Sequence, residues 1–407
     1  VSRVLRNKFR LELFENPYSK ENYRDIVHGE KACRLSLEAA YQSMVLLKNK
    51  NNLLPLNENS GKIALIGPNV ALPQLGDYTV NEGYEKAVSI KRAFEERLGD
   101  RLIYSLGCGI ASGSDDDIEA AVKAALKADT VILVLGDNSS FYGGVGWGND
   151  KEGEVERAVT CGEGFDLSSL DLPGRQQELM ERVYETGKNI VLVMVSGRPY
   201  SIVWADEHIH SILQAWYPGE FGGYALYDII FGKVNPSGKL PISFPKSAGH
   251  IPCFYNYKMS ARGFYKKPGT ETDPGRDYVF SNPDALYPFG YGLSYTTFEY
   301  SDLIVSPVII PVGKTVTVKV KVKNTGNMAG FETVQLYLRD EYCRITTFVR
   351  TLRGFEKVFL EPGEEKTVSF ILGDEDFAFI NEEMKPEIEP GKFIVYCGNL
   401  EYELFVK

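Results

Sequence analysis

Six acids, Asp150, Glu152, Glu154, Glu156, Glu163 and Asp166, stand close together in a segment that also carries Phe141, Tyr142 and Trp147. Carboxylates accept protons from hydroxyl groups, and aromatic rings stack on the C–H faces of sugars. That pairing of residue types suits a carbohydrate. A solvated acidic loop is the plain alternative, and the residues alone leave both open. The run Gly143-Gly144-Val145-Gly146-Trp147-Gly148 invites a third reading, a phosphate cradle. It does not make GxGxxG, no GK[ST] follows, and it opens into acids and not into an apolar helix, so nucleotide binding is set aside.

Something must hold these residues in place. The acids follow Thr130-Val131-Ile132-Leu133-Val134-Leu135-Gly136, a continuous apolar run rich in branched side chains, which is the pattern of a strand buried on both faces. Similar runs occur at Lys62–Pro68, Ile190–Val195 and Ile212–Trp216, with a weaker one at Leu102–Ser105. Helical patterns lie between them at Ile90–Leu98, Asp116–Ala128, Gln176–Thr186 and Tyr224–Phe231, and a further helical stretch is expected from Lys20 to Lys48. Alternation of this kind predicts a parallel sheet covered on both faces. Ligands of such sheets sit beyond the carboxyl ends of the strands, which is where the acidic segment, Asp137 to Leu172, begins. Past residue 240 the pattern changes. Residues 246–296 are rich in Tyr, Pro and Gly and read as a long ordered connector. From about 300 onward short alternating segments with turns at Asn324-Thr325-Gly326 and Glu361-Pro362-Gly363 predict a β-sandwich of around seven strands. The fold class is therefore α/β plus all-β.

Composition narrows the function classes. The 407 residues are 43% hydrophobic and 25% charged, with a formal charge of -10 spread along the chain. That balance disfavours nucleic acid, and no apolar stretch is long enough for a membrane span. Cys33, Cys108, Cys161, Cys253, Cys343 and Cys397 show no metal-binding spacing and read as buried or incidental thiols. His208 and His210, placed on one side of a strand, read as structural. Val4, Leu5, Phe9, Leu11 and Phe14 fit an amphipathic opening helix, uncapped and without a leader, which reads as the middle of a larger fold. The compartment is not legible.

The segment Gly162–Leu179, GEGFDLSSLDLPGRQQEL, resembles the pattern of glycoside hydrolase family 3, in which an acidic E-G-x-D loop precedes an L-x-L-P-G-x-Q helix start. Further blocks resemble the family in order: SMVLLKNKNNLLPL, QLGDYT, SGRPY, QAWYPGEFGG, NPSGKLPISFP and YPFGYGLSYTTFEY. So do VKNTGNMAGFETVQLYLRD and LRGFEKVFLEPGE near the end. The resemblance covers nearly the whole chain. It implies residues 1–30 as the end of a barrel or a linker, 31–245 as an (α/β)6 sandwich domain, 246–299 as a connector and 300–407 as a fibronectin type III-like domain. The family's N-terminal (β/α)8-like barrel, with its nucleophilic Asp, has no counterpart here.

What the resemblance implies for chemistry is a retaining exo-β-glycosidase of the β-glucosidase type, releasing terminal non-reducing β-D-glucosyl residues. The alternatives are a β-xylosidase or arabinosidase, and a non-catalytic sugar-binding module. Retention needs two carboxyl groups, one of them a proton donor whose pKa is raised by burial or a neighbouring charge. Motif position makes Glu163 the acid/base, with Glu154 or Glu156 next in line. Trp147, Phe141 and Tyr142 are candidate walls of the leaving-group subsite, with ordinary packing as their other use; Asp77 and Tyr78 approach from the first loop. Where the family commonly has Arg after the Asp of the motif, Leu167 stands, so Asp166 is expected to cap or brace the turn, or to contact substrate. Arg198 and Glu220 are expected to brace the acidic loop, and Arg350 and Arg353 to be structural. No cofactor or metal is expected. The expected partners are a β-glucoside or β-xyloside and the barrel, in the same polypeptide or as a separate chain; a homo-oligomer is compatible with all of this.

Overall fold

The computed structural model describes residues 1–19, 23–59, 61–79, 86–139, 158–258, 272 and 281–407. Phe141, Tyr142, Trp147, Glu154 and Glu156 lie outside the described residues.

Six strands form the first sheet: β1 (Val45–Asn49), β2 (Ile63–Ile66), β3 (Leu102–Ser105), β4 (Thr130–Gly136), β5 (Asn189–Val195) and β6 (Ser211–Gln214). Their spatial order is β1-β6-β5-β4-β2-β3, and only β1 runs antiparallel to its neighbour. After β1 on one edge, the parallel part starts at β2, winds outward to β3 on the other edge, then crosses back over β2 to β4. The reversal between β2 and β4 is a topological switch point, where the connections leave the sheet in opposite directions and open a crevice.

Both faces are covered, and the apolar runs are continuous for that reason. Leu133 and Leu135 of β4 enter one cluster with helices α5 (Asp115–Leu126) and α6 (Gln176–Tyr184). Ile132 and Val134 enter another with α3 (Glu30–Ser43), α4 (Ile90–Leu98) and α8 (Gly222–Ile230). The other helices among the described residues are α1 (Ser2–Arg10), α2 (Tyr23–Ile26), α7 (Val203–His208) and, in the second region, α9 (Asp374–Phe377). Ser114 starts α5 with a reciprocal capping box to Asp117, and Asp115–Asp117 place negative charge at the positive end of its dipole.

Two sequence expectations fail here. The helix expected from Lys20 to Lys48 is broken into Tyr23–Ile26 and Glu30–Ser43, and Val45–Asn49 is a strand, recruited to the sheet edge by pairing with β6. His208 ends helix α7 and stacks on Trp204, with ring centroids 4.4 Å apart, while His210 lies beyond it just before β6, so the two do not share a strand. The opening helix α1 forms, with its apolar residues Val4, Leu5 and Phe9 exposed.

The second region has ten strands: β7 (Phe298–Ser306), β8 (Ile309–Ile310), β9 (Val316–Asn324), β10 (Gly330–Asp340), β11 (Thr351–Leu360), β12 (Glu365–Leu372), β13 (Phe379–Ile380), β14 (Pro386–Glu387), β15 (Gly391–Cys397) and β16 (Leu400–Val406). They make a five-stranded sheet, β11-β10-β15-β16-β8, a three-stranded sheet, β12-β9-β7, and a small hairpin, β13-β14. Here strands alternate, most plainly in β9. In β9, Val316, Val318, Val320 and Val322 are buried while Lys319 and Lys323 are exposed.

Candidate active site

The loops at the switch point leave β2 and β4. Glu163 stands on the second, exposed to solvent, and its backbone is held from two directions. From the first loop, Asp77 Oδ2 accepts the Glu163 backbone N–H at 3.1 Å. This contact explains Gly162. A Cβ there would lie 2.3 Å from the same Asp77 oxygen, and the residue has φ +119°, so a side chain is barred on both counts. From the sheet, Arg198 Nη2 donates to the carbonyls of Thr160 at 3.2 Å and Phe165 at 2.9 Å. One guanidinium therefore ties both sides of the short span that presents Glu163.

Arg198 is itself placed by Asp137, the residue that follows β4. Asp137 is fully buried, with the Arg198 Nε at 3.8 Å from its Oδ2. Its carboxylate accepts from the Tyr200 hydroxyl at 3.0 Å, from the Gly197 backbone N–H at 3.2 Å and from the Tyr217 hydroxyl. Burial pushes the Asp137 pKa up, and the two phenols, the amide and the guanidinium oppose that shift. Burial beside this negative charge in turn raises both phenol pKa values well above the usual tyrosine range. Tyr217 reaches its partner through an unusual turn, since the preceding Trp216 has φ +56°, a left-handed conformation that costs a bulky residue roughly 1–2 kcal/mol. Its indole packs against the edge of Phe244, at 6.1 Å between centroids, which helps to hold the turn.

Buried amides complete the frame. Asn69 donates to the carbonyls of Asp137 at 2.9 Å and Val195 at 3.2 Å, joining the first loop to the ends of β4 and β5. Gln176 accepts the Gly136 N–H and donates to the Gly136 carbonyl, both at 2.8 Å, and to Ile110 O at 2.9 Å. Several buried oxygens and nitrogens at this end lack a hydrogen-bond partner among the described residues, including Asp77 Oδ1, Asn69 Oδ1 and both amide atoms of Gln74. Unpaired buried polar groups cost about 1–3 kcal/mol each, and such a concentration is a common mark of a functional end.

The structure brings Glu163 and Asp77 together, whereas Asp166 is exposed and neither caps nor braces the turn through any hydrogen bond among the described residues. Arg198 takes the bracing role expected of it. Glu220 does not, because its carboxylate pairs with His28 and its backbone carbonyl accepts the Val88 N–H. Sequence reasoning missed Asp137, Tyr200 and Tyr217 as a unit. The available signal was an acid directly after a fully apolar strand, together with tyrosines in the SGRPY and QAWYPGEFGG blocks.

Comparison with known proteins places this frame. Residues 44–295 match the glycosyl hydrolase family 3 C-terminal domain, and residues 332–401 match the fibronectin type III-like domain. The chain is 38% identical to a β-xylosidase of Formosa agariphila, over 98% of its own length and 53% of that protein, and 35% identical to a periplasmic β-glucosidase of Salmonella typhimurium, over 97% and 53%. A crystal structure of a Listeria innocua β-glucosidase in complex with gluconolactone superposes with a TM-score of 0.84 at 32% identity, covering 99% of this chain and 54% of that one. The chain spans about half the length of the curated relatives it matches. It belongs to glycoside hydrolase family 3, as the family's C-terminal α/β domain followed by its fibronectin type III-like domain.

Proposed function

We propose that this chain supplies the acid/base half of a retaining exo-β-glycosidase, with Glu163 as the proton donor and a terminal non-reducing β-D-glucosyl residue as the group released. The observation that carries the reading is the mounting of Glu163. Its carboxylate is exposed at the switch-point crevice while its backbone is tied to Asp77 on one side and, through Arg198, to Asp137 on the other.

The second carboxylate comes from the family's barrel, in the same polypeptide or as a separate chain, about 5–5.5 Å from Glu163 in the assembled site. It attacks the anomeric carbon as the glycosidic C–O bond breaks, and the Glu163 proton passes to the leaving oxygen. Glu163, now a carboxylate, takes a proton from water as the water oxygen attacks the same carbon and frees the nucleophile. Protein carboxyl groups and water balance both steps. In this scheme the Asp77 and Arg198 contacts act by positioning, since a displacement of about 1 Å costs on the order of 100-fold in rate.

The test is hydrolysis of aryl β-glucosides by the chain alone and by the chain joined to a family 3 barrel, each with and without Glu163→Ala. Only the joined form should turn over. Glu163→Ala should lower kcat/KM about 100-fold or more for poor leaving groups and far less for good ones, with azide restoring turnover of the latter. Comparable cleavage by the isolated chain, or an indifferent Glu163→Ala, ends the proposal. The second reading, a β-xylosidase, draws on the name and 38% identity of the Formosa agariphila relative; the ratio of kcat/KM on matched β-xyloside and β-glucoside decides it.

A further inference from the structure

The Tyr- and Pro-rich connector and the sandwich enclose a cleft of about 520 Å³ that shares no lining residue with the acidic loop. Its chemistry comes from Phe254, Tyr255, Tyr257, Asp284, Arg350 and Tyr396. We propose that this cleft is a second saccharide site, taking a neutral oligosaccharide of two or three pyranose rings.

The walls are fixed before any ligand arrives. Tyr255 lies flat on Phe289, with centroids 4.2 Å apart, meets the edge of Tyr337 at 6.0 Å, and accepts the Leu352 N–H on its hydroxyl at 3.2 Å. Tyr257 and Lys258 are sewn to the chain just before β11, by the Val349 N–H donating to Tyr257 O at 2.9 Å and by a bridge between Lys258 and Phe348. Tyr396 projects from β15, where it faces Tyr337 of β10 across the ladder. A pocket made by two structural regions and held rigid by both loses little entropy on binding.

Its lining is matched to a sugar. Phe254 is 67% exposed, a large ring left at the rim, and neither it nor Tyr257 or Tyr396 has a ring partner among the described residues. Free ring faces in a cleft suit the apolar faces of pyranoses. Arg350, expected from the sequence to be structural, sits over the Tyr337 ring at 4.9 Å and has no carboxylate within ion-pair distance among the described residues. Its planar donors are thus held in orientation and not consumed by any carboxylate among the described residues. Asp284 puts a carboxylate on the same lining as the guanidinium, a mixture of charges that suits hydroxyl groups better than phosphate or uronate. The volume falls within the roughly 300–1,000 Å³ of small-molecule sites and exceeds the need of one pyranose.

The choice of a saccharide rests on the glycosidase reading; the cleft itself does not depend on Glu163. The test is calorimetric titration of the 407-residue chain with cellotriose, xylotriose, glucose and xylose. One trisaccharide should bind at a single site, more tightly than its monosaccharide. Phe254→Ala, Tyr396→Ala and Arg350→Ala should each weaken it about tenfold, Tyr396→Phe should retain it, and Glu163→Ala should leave it unchanged. Thermal unfolding of each variant establishes that it is folded, and Phe254, being exposed, is the substitution that leaves the fold least disturbed. The proposal falls if neither trisaccharide binds, if the monosaccharides bind as tightly, if the Phe254 and Arg350 variants bind like the wild type, or if Glu163→Ala abolishes binding. Because these titrations require no turnover, failure of the Glu163 hydrolysis test with cleft binding intact removes the catalytic reading alone, and the converse removes the cleft alone.

Discussion

The two ends of the six-stranded sheet are built from the same strands and solve different problems. Both use one device: a glycine whose Cα lies under a carboxylate, followed by a residue whose N–H that carboxylate accepts. At the amino end Asp129 Oδ2 takes the Lys62 N–H at 2.7 Å, and a Cβ on Gly61 would lie 1.8 Å from that oxygen. At the carboxyl end Asp77 does the same for Glu163 over Gly162. The difference is what stands behind. At the amino end the clamp serves only to start a strand. Behind Gly162 stand the buried Asp137, two phenols, a guanidinium and a set of unpaired amide atoms. A local clamp therefore does not mark a site; a clamp backed by a buried charge at the switch point does.

The strongest way to break that contrast is to remove the charge partner. Arg198→Met strips Asp137 of its cation and unties Thr160 and Phe165 together. Removing one member of a buried pair typically costs about 3–5 kcal/mol; at 3.8 Å, with Arg198 partly exposed, about 3 kcal/mol is expected, read by urea unfolding. The sign of its pH dependence follows from Asp137. Its folded-state pKa lies above the ordinary value because of burial, so its contribution to stability is best in acid and falls as pH rises through that raised pKa. Taking away Arg198 raises the pKa further. The deficit of the variant should be larger at pH 7 than at pH 5, and a deficit that grows on acidification would contradict this account.

A smaller and sharper comparison uses the two glycines. Gly162→Ala and Gly61→Ala each push a carboxylate off the N–H it accepts, at about 1–2 kcal/mol apiece, the worth of a charge-assisted hydrogen bond. Their effects on stability should be similar, with Gly162→Ala adding some backbone strain. Their effects on turnover in the barrel-completed enzyme should diverge: at least tenfold loss for Gly162→Ala, none for Gly61→Ala. Equal activity in both would mean that the loop does not need Asp77 to place Glu163.

How much of this the sequence showed depends on where each decision is made. The runs Ile63–Ile66, Thr130–Gly136 and Ile190–Val195 declare themselves because burial on both faces demands continuous apolar residues. β1 was hidden: Val45–Asn49 follows α3 with no Gly or Pro to separate them, and it is a strand because β6 offers an edge. The place of Glu163, on the loop beyond β4, was legible from the order of strand and motif. Asp137 was not, because an acid at a strand end looks like a loop acid until Tyr200 and Tyr217, 63 and 80 residues later, close over it. Likewise Asp166, next to Leu167, suggested a brace that Asp77 and Arg198 supply from other strands.

The smallest expected effect lies at the amino end and probes whether that end also holds a charge-sensitive group. His210 precedes β6, and its Nδ1 is buried with no hydrogen-bond partner among the described residues. Burial lowers its pKa, and the neighbouring Lys50 and Lys48 lower it further. A depressed histidine favours the neutral form in the fold, whereas the unfolded chain takes up a proton near the ordinary value of about 6.5. Its contribution is therefore complete above that value and is lost as pH falls toward the folded pKa. In His210→Gln no proton is taken up on unfolding, so the Tm of the variant should drop less than that of the wild type between pH 7.5 and 5.5. Because the imidazole is only partly buried, the difference should be a degree or so, on the order of tenths of a kcal/mol. Parallel pH profiles for the two proteins would mean that neither burial nor the lysines act on the ring in the fold, and that only the carboxyl end of the sheet couples its charge to folding.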